Sequence, residues 1–192
     1  MNQHSRLILA SASPRRRELL ALFELDFDVE PAHIDEAVHP DEAAETYVRR
    51  MAREKALAVH GRFDGRFVLG ADTAVVVDGE SLGKPADDDQ ARAMLRRLSG
   101  REHEVFSAVA LIAPDGVRRE RLSRTRVELA ELPAAWVERY IASGEPHDKA
   151  GAYGIQGAAG IHVRSLKGSY TGVVGLPLFE TGELLRATGL ID

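Results

Sequence analysis

The sequence predicts an α/β protein built on a mixed sheet flanked by helices, and three observations carry that expectation. Strand-like and helix-like segments alternate irregularly along the chain. Two strand-like runs, 104–112 and 117–128, meet at Pro114-Asp115-Gly116 as an antiparallel hairpin, which an all-parallel doubly wound sheet does not accommodate. The run Phe67 to Val77 is continuously apolar and β-branched, and it ends on an Asp78-Gly79 turn signal. The 192 residues, 44% of them hydrophobic, are enough for a buried core and are read as a single domain, 1–192.

The elements follow in order. Leu7 to Ala10 forms a short strand, and SASP leads into a helix with apolar residues Leu19, Leu20, Leu22 and Phe23. Ser13 is its N-cap, and Pro14 suits the first helical position because its missing N–H costs nothing there. A second helix runs from about Pro40 to His60 on the stripe Ala44, Tyr47, Val48, Met51 and Ala52, and Lys55 falls on that stripe. The strand Phe67 to Val77 turns into Ser81-Leu82. Asp87, Asp88 and Asp89 then cap a helix carrying Ala91, Met94, Leu95 and Leu98. After the hairpin comes a short helix, Pro133 to Ser143, stopped by Gly144. Beyond it lie the Gly-rich DKAGAYGIQGAAG, the segment Ile161 to Leu166, a loop GSYTGVVGLP and a last helix around Phe179 to Ala187.

Composition excludes several classes. With no cysteine there is no disulfide framework, thiolate nucleophile or Cys-based zinc site. The apolar run in MNQHSRLILASASPRRR is too short for a leader and no stretch is long enough to span a bilayer, so the chain reads as soluble and cytoplasmic with no membrane partner. A net charge of -5 argues against a nucleic-acid partner but leaves room for a local basic pocket. The GxxxxGK[ST], GxGxxG and GxSxG signatures are absent, and none of the seven histidines has metal-ligand spacing.

The remaining polar residues point to phosphate chemistry. Ser13, Arg15, Arg16 and Arg17 crowd a helix N-terminus, where cations oppose the dipole unless an anion joins them. Asp72 shares a face with Val68, Gly70, Ala74 and Val76, where an unpaired carboxylate would be costly, so it needs a metal, a cation or a proton. Lys55 either snorkels to solvent or holds its ammonium in a cleft. Lys84, in the tight Gly83-Lys84-Pro85 loop, is either an ordinary loop lysine or reaches the cleft end near Asp72. Glu36, beside Asp35 in a polar loop, is either a merely solvated acid or one of the hard oxygen donors that divalent cations use together with substrate phosphates. Gln156 lies between Gly154 and Gly157, which let backbone approach a ligand, and its amide matches the adjacent acceptor and donor of a uracil or thymine edge.

Taken together, LASASPRRRELL, AREKA, GADTAVVVDGESLGKP, DKAGAYGIQG and GSYTGVVGLPL resemble the Maf family of nucleotide pyrophosphatases from about residue 7 to 185. The resemblance implies a mixed α/β fold in two lobes with a substrate cleft between them, related to inosine triphosphate pyrophosphatases. It also implies dependence on Mg²⁺ or Mn²⁺, and dimers are common in the family, so a homodimer is an expectation. By motif, Asp72 resembles the general base, and Arg15, Thr73 and Gln156 the positions that set specificity. Lys55 and Lys84 resemble phosphate-contacting lysines, Ser13 and Arg16 belong to the phosphate-binding turn, and Glu36 resembles the acid linked to the metal site beside Asp72. DKAGAYGIQG is similar to the subgroup acting on dTTP and UTP, which implies hydrolysis of a nucleoside triphosphate to monophosphate and pyrophosphate. The same reaction on 7-methyl-GTP or ITP, and a non-catalytic role in arresting septum formation, are the alternatives. Gly172 departs from the family, where many members carry Asn or another side chain, and that departure bears on substrate range.

Overall fold

The computed structural model describes residues 6–192, so the first five residues of the N-terminal segment read above for a leader lie outside it. In chain order the elements are β1 (Leu7–Leu9), α1 (Pro14–Ala21), β2 (Phe27–Val29), α2 (Ala44–His60), β3 (Phe67–Val77), β4 (Glu80–Leu82), α3 (Asp88–Leu98), β5 (Glu102–Ile112), β6 (Arg118–Leu129), α4 (Ala134–Ala142), β7 (Val163–Lys167), α5 (Tyr170–Val174) and α6 (Leu178–Arg186). Short 3₁₀ turns at Glu145–Asp148, Ala150–Ala152 and Ala158–His162 fill the Gly-rich stretch between α4 and β7.

The sheet is mixed, as expected, with order β2-β1-β3-β5-β6-β7. β1 pairs in parallel with both β2 and β3, whereas β3, β5, β6 and β7 are successively antiparallel. β4 folds back on β3 through the Asp78-Gly79 turn, whose φ values of 55° and 78° are those of a tight hairpin turn.

One feature of this pairing places the site. On one side of β3, β1 covers Phe67 to Leu69 and β4 covers Val75 to Val77, while the other side is paired to β5 from Val68 to Val76. The edge from Gly70 to Ala74 therefore has no strand beside it. Neighbouring residues of a strand point to opposite faces, yet at such a notch side chains from both faces reach one space.

Helices cover both faces. α2 lies on one, with Val48 and Ala52 against Ala74, Val76, Ala108 and Ala110, and Ala56 and Val59 against Val68 and Ile112. On the other face α1 and α6 pack on Leu69 and Leu111, while α3 and α4 pack on Val75 and Val77. Fully burying a Val, Leu or Ile side chain contributes about 1.5–3 kcal/mol, and an alanine methyl less, so these stripes hold the layers together. The approach of α2 is unusually close at Gly70, where an added Cβ would stand 2.1 Å from the Ala52 carbonyl oxygen and 2.8 Å from the Ala56 nitrogen.

Most boundaries shift by only one or two residues, and three differences are larger. α2 starts at Ala44 rather than Pro40, behind an Ala43 that offers no side-chain cap. The three-residue β2 escapes a search for alternation. The loop expected at GSYTGVVGLP contains α5, because the Ser169 hydroxyl accepts from the Gly172 N–H and starts one turn.

Candidate active site

A cavity of about 850 Å³ opens at the β3 notch, and nine of the residues singled out from the sequence line it: Ser13, Arg15, Arg16, Glu36, Lys55, Asp72, Thr73, Lys84 and Gln156. Arg17, the third arginine of the same turn, is exposed and outside the lining. Five cations, Arg15, Arg16, Lys55, Lys84 and Lys149, face it together with four carboxylates, Glu36, Asp72, Glu145 and Asp148. In a chain of net charge -5 this is a local reversal of sign suited to a polyanion.

Asp72 points to the α2 side of β3 and is 6% exposed. Of the metal, cation or proton that its setting demanded, the structure supplies a cation: Lys55 Nζ donates to Asp72 Oδ1 at 2.7 Å. Lys55 is likewise 6% exposed, so its ammonium sits inside the cleft instead of snorkelling. Glu36 Oε1 lies 3.0 Å from the same ammonium. Glu36 is held there by α2: Tyr47 Oη donates to the Glu36 carbonyl at 3.0 Å, and Arg50 Nη2 donates to the Ala37 carbonyl at 2.9 Å. Burial, with Asp72 and Glu36 nearby, pushes the Tyr47 phenol up to about 12, so it stays a protonated donor.

The turn between β1 and α1 also lines the cavity. Ser13 caps α1, accepting from Arg16 N at 3.4 Å, as its position before Pro14 implied. Arg16 Nε donates to the Gly175 carbonyl at 2.9 Å, tying this turn to the end of α5. Burial lowers the Arg16 pKa while Asp72 and Glu36 oppose that effect, and guanidinium remains a cation. Arg15 Nη1 reaches Asp148 Oδ2 at 2.9 Å. Burial works against ionisation of Asp148, but hydrogen bonds from Lys149 and Arg15 hold its carboxyl down at about 2. The conflict between these cations and the helix dipole is thus partly answered by an internal carboxylate.

Thr73 lies on the other face, where its hydroxyl is 2.9 Å from Ser107 Oγ and 3.4 Å from the Gly175 carbonyl. Ser107 in turn donates to the Gly172 carbonyl at 2.6 Å. Gly172 is itself outside the cavity lining, so its backbone, through Ser107, supports Thr73 from behind. Lys84 is exposed at the rim and makes no ion pair among the described residues. Gln156 is exposed and lines the cavity.

Gly154 and Gly157 both line the cavity, and each also makes room for a neighbouring side chain. A Cβ at Gly154 would meet Lys149 Cε at 2.6 Å, and one at Gly157 would meet Glu145 Oε1 at 1.8 Å. Both make room for side chains of the preceding segment. Glu145, Asp148 and Ser107 were not marked from the sequence, where nothing distinguishes them from ordinary surface or strand residues.

Glu36 and Asp72 converge on one point of positive charge. Among the described residues there is no cluster of three His, Cys, Asp or Glu able to cage a metal. Glu36 and Asp72 are the residues that could hold a hard divalent cation of the kind that takes one or two carboxylates and completes its shell with phosphate oxygens and water. Also among the described residues, no helix is long and apolar enough to cross a membrane.

Comparison with known proteins shows what the chain is similar to. The family profile described as "Maf-like protein" matches residues 6–188. A dTTP/UTP pyrophosphatase of Hahella chejuensis is 53% identical over 96% of this chain and 93% of its own. One of Myxococcus xanthus is 54% identical with the same coverage. A solved dITP/XTP pyrophosphatase from Mycobacterium abscessus aligns over 67% of this chain and 76% of its own, at 22% identity and a TM-score of 0.41.

Proposed function

The chain belongs to the Maf family, and on that premise we infer that it is a nucleoside triphosphate pyrophosphatase hydrolysing dTTP and UTP to the nucleoside monophosphate and pyrophosphate. The observation that carries this reading is a buried carboxylate, Asp72, at an open strand edge facing a cavity lined by Arg15, Arg16, Lys55 and Lys84.

The chemistry divides among these residues. Arg15, Arg16, Lys55 and Lys84 bind the triphosphate, and the α1 N-terminus adds backbone N–H groups and a favourable dipole. Lys55 occupies Asp72 Oδ1, while the second carboxylate oxygen has no hydrogen bond among the described residues and is available to a water. Asp72 orients that water and accepts its proton as it attacks the α-phosphorus. The arginines and lysines neutralise charge gathering on the pyrophosphate as it leaves. Glu36 and Asp72 are the residues that would hold Mg²⁺ or Mn²⁺, which when bound would supply further neutralisation of the phosphates. Thr73 and Arg15 shape the neighbouring wall, and Gln156 reads the base edge. The compartment we propose is the cytoplasm, where nucleoside triphosphates are held.

The test is hydrolysis in ¹⁸O-labelled water. Label in the monophosphate, with pyrophosphate as the second product, supports attack at the α-phosphorus. Orthophosphate release, or label in the diphosphate product, contradicts it.

A further inference from the structure

Tyr140 and Glu145 form a small lattice around the segment that carries Gln156. Tyr140 Oη donates to Glu145 Oε1 at 2.9 Å. The Gly154 N–H donates to Tyr140 Oη at 3.2 Å, and the Ala158 N–H donates to Glu145 Oε2 at 3.2 Å. The turn is therefore gripped two residues before Gln156 and two residues after it, by two side chains that are bonded to each other.

The anchor of this grip is rigid. Tyr140 is 3% exposed, and its ring stacks on Trp136 at 4.7 Å between centroids and 17° between planes. Glu145 is positioned by its own backbone, whose N–H reaches Ser143 Oγ at 3.2 Å and whose carbonyl accepts from Lys149 Nζ at 2.7 Å. Gly157 is what admits the carboxylate, because any side chain there would displace it. A glutamate facing a polyanion cavity is otherwise hard to explain, since it would repel phosphate. Its two oxygens are turned to a hydroxyl and a backbone N–H instead.

We propose that Tyr140 and Glu145 are specificity-positioning residues that fix the Gly154–Ala158 turn, so that the Gln156 amide meets the pyrimidine edge in one orientation. This rests on the reading of Gln156 as the base-contacting residue. A site that selects by hydrogen bonds to a base discriminates strongly only when its donor and acceptor are held in place. Loosening the turn affects which base is accepted more than it affects attack at phosphorus.

The experiment compares kcat and KM for UTP and CTP, whose base edges present different donor and acceptor patterns, in wild type, Glu145→Ala, Glu145→Gln, Tyr140→Phe and Gln156→Ala. Hydrogen exchange at the Gly154 and Ala158 amides is followed in parallel. Glu145→Ala is expected to reduce the UTP-over-CTP ratio of kcat/KM about tenfold, chiefly through KM. Exchange at both amides quickens with it. Glu145→Gln restores most of the ratio, because the amide oxygen still accepts from Ala158 and the NH₂ can donate to Tyr140. If Glu145→Ala does not fold, Tyr140→Phe decides, since it keeps the stack on Trp136 and removes only the hydroxyl.

An unchanged ratio in Glu145→Ala and Tyr140→Phe, with the ratio lost in Gln156→Ala, overturns the positioning role and leaves the base contact standing. A ratio unchanged in Gln156→Ala overturns both. An equal loss with every nucleotide means the two residues are merely structural.

Discussion

Lys55 Nζ lies 2.7 Å from Asp72 Oδ1, and both residues are 6% exposed, so the proposed general base is held in a buried ion pair. α2 can bring the lysine to that point because Gly70, two residues before Asp72, offers no side chain to keep the helix away.

Removing one partner of a buried pair strands the other charge. Lys55→Ala is expected to cost about 3–5 kcal/mol of stability. Glu36, 3.0 Å from the same ammonium, is also left without it. Urea unfolding measures the loss, and the double variant Lys55→Ala/Asp72→Ala should recover part of it. A single variant as stable as wild type would show that the pair has no structural weight.

Gly70→Ala should be more harmful than an ordinary glycine replacement. The added methyl would stand 2.1 Å from the Ala52 carbonyl, so α2 must move outward and carry Lys55 with it. Overpacking of this kind costs typically about 1–3 kcal/mol. Thermal melting and activity should both fall, and full activity would mean that the position of α2 is not needed.

Arg16→Lys is expected to raise KM for dTTP and UTP and to leave the protein folded. A lysine keeps the charge but lacks the planar fork that bonds the Gly175 carbonyl while still facing the cavity. Steady-state kinetics distinguish this from a charge-only role, in which the variant would behave as wild type.

His103 makes stability depend on pH. Its Nε2 lies 2.7 Å from Tyr153 Oη, and burial, with Arg101 nearby, lowers its pKa from 6.5 to about 4. The unfolded chain therefore takes up the proton first as pH falls. The stabilisation from keeping His103 neutral is complete above about pH 6.5 and is lost between there and about pH 4, to an extent of ~3 kcal/mol. Melting curves from pH 7.5 to 4.5 test this, with His103→Gln expected to flatten the dependence.

Much of the site was legible because its signals are local. Asp72 stands out where the period of a strand places it among Val68, Gly70, Ala74 and Val76, and Lys55 where a helical stripe should be apolar. Ser13 and Pro14 mark a helix start by their own chemistry. What escaped depends on long-range pairing. The notch at Gly70 to Ala74 arises from where β1 and β4 end against β3, which no single segment encodes. Asp148, 133 positions from Arg15, and Glu145, beneath Gly157, acquire their partners only in the folded chain. The two glycines flanking Gln156 were noticed, but the side chains of Lys149 and Glu145 for which they make room are brought to them only by tertiary contact.

The central claim is that Asp72 is the general base of a dTTP/UTP pyrophosphatase. Its most direct test is pyrophosphate release from dTTP and UTP with Mg²⁺ or Mn²⁺ present, within a panel that includes CTP, 7-methyl-GTP, ITP and ATP, for wild type and Asp72→Asn. The account predicts hydrolysis concentrated on dTTP and UTP, and a fall in kcat of about 10²–10⁴-fold in the variant with a much smaller change in nucleotide affinity. Turnover unchanged in Asp72→Asn would contradict it.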